Sequence, residues 1–332
     1  MLQALVLFLV NNVLLVKIGS TSSGFKLSLF REDTNKKTIN VNVPSDAEMI
    51  LSSYDATYVS YIREGRIEVV STDKNQTAKI IGKDNVKLTG YLWLPDKNMI
   101  IYSYQVDAYL RVGLTSYDVD NDIEHDYKYI TEVTYLPAGS RIIEIKPSFK
   151  TNVTYIKIAV NDRQAYIIRV DIHENRYKIM TVDIDTEIQD ISLMDYLVLR
   201  EPEAQYITVR QGQSGESHRV DFGRDICLLD NDSEYGIYIG GLDGNANVEA
   251  LYKGSYEDRS PEAWQQVILE TPVTPGDIYM SGKHVYLYLR DSNLVKDLNT
   301  GAKTGISGQL LNVAGGYALT RENGNVSLIP LK

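Results

Sequence analysis

The chain has one cysteine, Cys227, in 332 residues. That count excludes an intrachain disulfide, and a thiolate metal centre would need a second chain. Histidine is nearly as scarce: His125, His173, His218 and His284 stand alone, far apart in sequence. Tryptophan occurs twice and phenylalanine five times, against 24 tyrosines. No block of like charge forms a tail. The 44 acidic residues outnumber the 34 basic ones, for a net charge of −10. An acidic surface repels phosphate backbones, so nucleic acid is excluded as a natural partner. Long helical periodicities are missing. The one helix signal is Ser260-Pro261-Glu262-Ala263-Trp264. There Ser260 can cap, Pro261 suits the first helical position and Glu262 favours the positive end. It predicts a turn or two within a longer loop of the sixth unit.

What remains is rich in Tyr, Val, Ile and Thr, the residues of half-buried strands. Hydrophobic residues make up 43%, as in an ordinary globular protein. Two short apolar runs flank a tight polar turn, and the event recurs every forty-odd residues. The clearest pair is Trp93-Leu94-Pro95-Asp96-Lys97-Asn98-Met99-Ile100-Ile101-Tyr102 and Tyr135-Leu136-Pro137-Ala138-Gly139-Ser140-Arg141-Ile142-Ile143-Glu144, which sets Pro95 and Pro137 42 positions apart. A strand-built period of that size is the mark of a β-propeller. Inner-hairpin turns are expected near Asp55, Asp96, Ala138, Asp195, Asp232, Gly282 and Gly316. Outer hairpins are expected at Lys74-Asn75, Asp120-Asn121-Asp122, Glu174-Asn175 and Gly301.

These spacings predict an all-β protein: a β-propeller of seven blades, or eight if Asn11-Asn12 marks a further turn. The last unit holds three strands, Gln309 to Val313, Tyr317 to Arg321 and Val326 to Leu331. Thr38 to Val43 is expected to pair with the final strand, so that N- and C-terminal strands close the terminal blade.

Residues 1–16, MLQALVLFLVNNVLLV, form the most apolar stretch and lead into a Gly/Ser-rich run over 19–24. One reading is a membrane signal-anchor over 1–18 with a stalk, ahead of a propeller over 25–332. The stretch is short for a span of about 20 residues, and Asn11 and Asn12 would sit in lipid. The other reading is the propeller's first β-hairpin, Leu5 to Val10 and Val13 to Ile18.

The string Trp93 to Tyr102 resembles the repeat of TolB-like and WD40-like bacterial propellers: an aromatic, a Pro-Asp turn, then an apolar strand. Asp297-Leu298-Asn299-Thr300-Gly301 resembles the outer-hairpin turn of the same families. In the second copy Ala138 replaces the Asp, and elsewhere the Pro is missing. The resemblance implies the fold and a tendency to act as a binding platform. It carries no functional residue.

No intact catalytic or metal motif is present. His173-Glu174 begins like a zinc-protease helix, but Tyr177 stands where the second His belongs. Gly212-Gln213-Ser214-Gly215-Glu216 lacks the second Gly of a nucleophile elbow. Gly301-Ala302-Lys303-Thr304 lacks the Gly that precedes the Lys of a phosphate loop. Asp118 to Glu124 spaces acids as a calcium loop does, but Ile123 and Tyr129 replace its Gly and Glu. Gly240-Gly241-Leu242-Asp243-Gly244-Asn245 is expected to be an ordinary turn. Tyr256 and Trp264 share the longest irregular insertion, Gly254 to Gln265. They are the candidate binding residues, since loop aromatics on a rigid scaffold anchor partners.

The expectation is therefore a non-enzymatic binding or scaffolding propeller without a cofactor. Its partner would be a protein, a peptide or a wall polymer. It would be extracytoplasmic and membrane-anchored if residues 1–18 are an anchor, and cytoplasmic and soluble otherwise. Two alternatives stand beside it: a propeller hydrolase or lyase with an axial site, and a structural module of a larger assembly.

Overall fold

The computed structural model describes residues 36–332 apart from 107–110, 128–135, 138, 149, 172, 174 and 233–234. The anchor or hairpin over 1–18, Phe25 to Phe30 and Ala138 lie outside the described residues. No helix among the described residues is long and apolar enough to cross a membrane.

Among the described residues, twenty-eight strands form seven four-stranded antiparallel sheets in a ring. Blade 1 is β2 (Glu48–Ser52), β3 (Tyr58–Arg63), β4 (Arg66–Ser71) and β5 (Gln76–Ile81). Blade 2 is β6 (Val86–Trp93), β7 (Met99–Val106), β8 (Arg111–Asp118) and β9 (Ile123–Tyr127). Blade 3 is β10 (Arg141–Ser148), β11 (Val153–Ala159), β12 (Gln164–Val170) and β13 (Arg176–Asp183). Blade 4 is β14 (Glu187–Ile191), β15 (Met194–Arg200), β16 (Tyr206–Gln211) and β17 (Ser217–Asp221). Blade 5 is β18 (Ile226–Leu228), β19 (Ile237–Leu242), β20 (Val248–Gly254) and β21 (Gln265–Val273). Blade 6 is β22 (Ile278–Ser281), β23 (His284–Leu289), β24 (Leu294–Asp297) and β25 (Lys303–Gly305). Blade 7 takes β26 (Gln309–Ala314), β27 (Tyr317–Glu322) and β28 (Asn325–Pro330) from the end of the chain, and β1 (Ile39–Val41) from its start.

Each blade buries both faces, so its middle strands read as near-continuous apolar runs rather than alternating ones. In β12, Ala165, Ile167, Ile168 and Val170 are all buried. Ile167 faces the cluster shared with blade 4, while Ile168 and Val170 face blade 2. Seven apolar clusters result, one at each junction between neighbouring blades. The junction of blades 7 and 1 joins Val41, Leu319, Val326 and Leu328 to Ile50, Val59, Tyr61 and Val70. Polar links also cross junctions. Asp195 of blade 4 accepts from Tyr155 Oη at 2.6 Å and from Arg169 Nη2 at 2.9 Å, both in blade 3.

The expected turns at Asp55, Asp96, Asp232, Gly282 and Gly316 all join first to second strands. Asp195 lies one residue inside β15, and its hairpin turns at Ser192-Leu193. The hairpin of blade 3 does not turn at Ala138. It turns between Ser148 and Val153, with Asn152 at φ 53°. Pro95 and Pro137 are therefore not equivalent: Pro95 is in the β6–β7 turn, whereas Pro137 precedes β10. Gly240 and Gly241 are strand residues of β19, and the expected turn begins only after them, at Asp243 to Asn247. A Cβ on Gly240 would meet Cys227 Sγ and Val248 Cγ2 at 2.8 Å, so close packing requires the glycine.

Ring closure rests on three residue pairs: Ile39 with Leu328, Asn40 with Ser327 and Val41 with Val326. Val41 is 5% exposed, whereas Asn40 is exposed. Val41→Asp is expected to lower stability by about 3–5 kcal/mol, because it buries an unpaired carboxylate. Asn40→Asp, one residue away on the wet face, is expected to change little. Urea denaturation followed by circular dichroism separates the two.

Candidate functional site

Strand β20 ends at Gly254 and β21 begins at Gln265, so the insertion belongs to blade 5 rather than to a sixth unit. The intervening loop is ordered by its own polar groups. Ser255 N donates to Asp258 Oδ2 at 2.7 Å, and Asp258 N to Ser255 O at 3.2 Å. Pro261–Ala263 forms a single 3-10 turn, closed by Trp264 N on Pro261 O at 3.0 Å. Ser260 occupies the N-cap, but its side chain makes no cap hydrogen bond.

Trp264 packs this loop onto the sheet. It is 5% exposed and joins the core between blades 4 and 5. Phe222 meets it edge-on, with centroids 5.2 Å apart and an interplanar angle of 88°. A Cβ on Gly254 would lie 2.2 Å from the indole. The indole therefore needs that glycine as its floor.

Tyr256 stands above this support. Its ring lies 4.9 Å from Tyr196 of β15 and 6.3 Å from Tyr235 of the β18–β19 connection. Tyr235 is 45% exposed. The Tyr256 hydroxyl donates to Glu257 Oε1 at 3.0 Å, and that bond raises its pKa. Tyr196, His218, Tyr256 and Arg259 line one cavity of about 620 Å³ with Gln211, Glu216, Ser217 and Glu257. His218 Nε2 lies 3.2 Å from the Asp258 carbonyl, which fixes the Nε2–H tautomer. Burial, then the nearby Arg259 charge, lowers the His218 pKa and keeps the ring neutral at pH 7. The cavity thus combines an aromatic ledge, a neutral imidazole, one guanidinium and two carboxylates. Such a surface can stack and hydrogen-bond an extended ligand.

The structure brings Tyr256 and Trp264 into one loop with different parts: one lines the cavity, the other supports it from below. Tyr196, Tyr235, His218 and Arg259 were missed in the sequence because they come from four separate segments. The turn after Gln211, dismissed as an elbow, contributes Glu216 to the same wall. The other histidines are dispersed. His125 is on β9, His173 in the β12–β13 turn, and His284 on β23 with Nδ1 2.8 Å from Asp297 Oδ2. Among the described residues no three His, Cys, Asp or Glu side chains group as a metal site. The acids of Asp118 to Glu124 point to separate partners. Asp118 Oδ1 caps Asn121 N at 3.0 Å, Asp120 Oδ1 accepts from Tyr58 Oη at 3.1 Å, and Asp122 Oδ2 pairs with Lys79 Nζ at 2.6 Å.

One further carboxyl is perturbed. Asp190 of β14 is 4% exposed, with Gln189 Nε2 on its Oδ1 at 3.2 Å and no partner for Oδ2. Burial pushes its pKa up to about 7, the Lys146 charge opposing and the Asp230 charge reinforcing the shift. The folded state therefore holds this proton more tightly than the unfolded chain does. The contribution of Asp190 to stability therefore falls as pH rises from about 4 to about 7.

Two outcomes are expected. Asp190→Asn is more stable than the parent at pH 8, on the order of a few kcal/mol, and equal to it near pH 4; melting temperatures across pH report this. Gly254→Ala pushes Trp264 from its seat at a cost of about 1–3 kcal/mol. In a Trp93→Phe background the remaining indole emission shifts to the red.

No protein-family model matches the sequence, and no curated protein matches it. Solved structures do. KlHsv2 with loop 6CD replaced by a Gly-Ser linker aligns over 84% of this chain and 88% of its own, at 9% identity and a TM-score of 0.53. A chain of the mitotic checkpoint complex aligns over 94% and 96%, at 10% identity and a TM-score of 0.54. U3-55K aligns over 89% and 98%, at 11% identity and a TM-score of 0.52. These are WD40-type propellers, and at such identities the likeness shows the fold: this chain is a seven-bladed, WD40-like β-propeller.

Proposed function

We propose that this propeller is a non-enzymatic binding scaffold that holds an extended segment of a protein or peptide in the cleft between blades 4 and 5. The observation that carries this reading is the tyrosine ledge. Three rings from three separate segments meet at Tyr256; Tyr196 and Tyr256 pack on the cluster that holds Trp264 and line the cavity with Arg259, Glu216 and Glu257. Aromatic rings on a rigid frame give contact area at low entropic cost, and the flanking charges supply register. One of the similar propellers is a component of the mitotic checkpoint complex, and this supports a protein as the partner class.

The same proposal includes display outside the membrane. Residues 1–18 supply the anchor and the Gly/Ser run after them a stalk. Protease treatment of intact cells is expected to release the propeller; its recovery only in the soluble cytosol would overturn this part.

A photo-crosslinking amino acid at Tyr256 is expected to give one discrete adduct in cells. The same group at Tyr177, on the outer strand of blade 3, is expected to give none. Tyr196→Ala is expected to reduce the adduct at least tenfold without lowering the melting temperature. Equal labelling from both positions, or no adduct from Tyr256, sinks the cleft as the docking site.

A further inference from the structure

A second cavity, of about 310 Å³, lies where blades 3, 4 and 5 meet along β10, β14 and β18. Its wall includes Glu144 and Lys146 of β10, Lys157 of β11, and Asp185, Thr186 and Asp230. Glu187 also lines it, half-buried like Glu144 and Lys146. Lys157 is 5% exposed and Thr186 is buried, whereas Asp185 and Asp230 are exposed at the rim.

Lys146 is already committed: its Nζ lies 3.4 Å from Glu144 Oε1 and donates to Gln189 Oε1 at 2.9 Å. Lys157 is not. Its Nζ donates to the Thr186 carbonyl at 2.5 Å, and among the described residues no carboxylate lies within ion-pair distance. An ammonium has three N–H donors, and the Thr186 carbonyl takes one. Burial lowers the Lys157 pKa, with the charges of Glu144, Asp185, Asp183 and Glu187 opposing it from beyond contact distance. The hydroxyl of Thr186 beside it is buried without a hydrogen-bond partner. The spare donors of Lys157 and the unpaired Thr186 hydroxyl belong to one cavity wall and suit an acceptor such as a carboxylate. The acidic rim disfavours a dianion such as phosphate and favours a positive charge attached to the ligand.

We propose that this cavity receives a carboxylate head followed by a cationic group, with Lys157 and Thr186 holding the carboxylate and Asp185 and Asp230 facing the cation. The volume suits a free basic amino acid or the last residues of a peptide ending in one. The site is independent of the tyrosine cleft.

Calorimetry on the whole chain tests it with glycyl-glycyl-arginine, its C-terminal amide and free arginine. The acid is expected to bind and the amide to bind at least tenfold more weakly. Free arginine binding as tightly as the tripeptide identifies a small-molecule ligand; tripeptide binding alone identifies a chain terminus. Lys157→Met is expected to lose at least tenfold in affinity, with a melting temperature at or above the parent's. If that variant does not fold, the acid–amide comparison on the parent still decides. Tyr256→Ala is expected to leave this binding unchanged, which separates the outcome from that of the cleft. Equal binding of acid and amide, or no binding of either at millimolar concentration, overturns the assignment.

Discussion

Every other feature of this molecule depends on one short strand pairing, β1 with β28. A propeller blade cannot bury both faces alone, and a row of blades always leaves two faces and two edges exposed. Only closure removes the two faces. Here it is made by three residues from the start of the chain laid against the last strand, with Val41 sealing the core between blades 7 and 1. Arg321 adds a polar clasp, donating through Nη2 to the Ser45 carbonyl at 2.6 Å. The first and last of the described strands are thereby held in one sheet. Closure also makes the seven apolar junctions mutually dependent, which gives the rim loops a rigid frame.

Closure explains the odd aromatic balance. Middle strands have a neighbour on either face, so large rings fill them, yet the acidic composition suits tyrosine better than phenylalanine. Tyr61, Tyr102, Tyr155 and Tyr238 all lie on second strands and are buried. Each directs its hydroxyl to a carboxylate: Glu68 at 2.8 Å, Glu124 at 2.8 Å, Asp195 at 2.6 Å and Asp232 at 3.3 Å. A buried phenol needs an acceptor, and an ionised carboxylate is a strong one. Part of the acid surplus is therefore internal structure and not a surface offered to partners. Further acids close turns. Asp171 Oδ1 accepts from His173 N and Asn175 N, both at 2.9 Å, and Asp297 Oδ1 accepts from Asn299 N at 2.7 Å.

The blade count, most hairpin turns and the closing strand were legible because each is a local pattern repeated along the chain. The error at Ala138 has an equally local cause. Leu-Pro followed by a polar turn occurs twice, but in one copy it sits inside a hairpin and in the other it leads into a blade. A proline fixes its own φ and restrains its predecessor, and both places accept that. Extra residues lie between β9 and β10, so sequence spacing absorbed the slip. Gly240 and Gly241 misled for a related reason. Glycine marks a turn by default, but it also serves wherever two strands and a sulfur crowd together. Tyr256 and Trp264 were findable as aromatics on a long insertion. Which of them faces a ligand was not, because burial of Trp264 depends on Phe222 and Gly254 beneath it. The two cavities were invisible because their residues are assembled by the ring.

Repetition builds the frame, so function must be sought where repetition fails. A blade that matched its neighbours would present the same hairpin and the same apolar junction seven times over. Two departures break that symmetry, and they fall on adjacent junctions. Blade 5 interrupts its outer hairpin with the loop that carries Tyr256, and the frame tolerates this because Trp264 replaces the lost strand contacts with a buried ring. The first strands of blades 3 and 4 place Glu144, Lys146, Gln189 and Asp190 at positions half or wholly buried. Burying such groups costs stability that apolar residues there would have supplied. A closed ring with seven junctions can bear that local loss, which an isolated sheet could not. The polar first strands and the interrupted hairpin are therefore departures of one kind, each spending frame stability on a surface with chemical character.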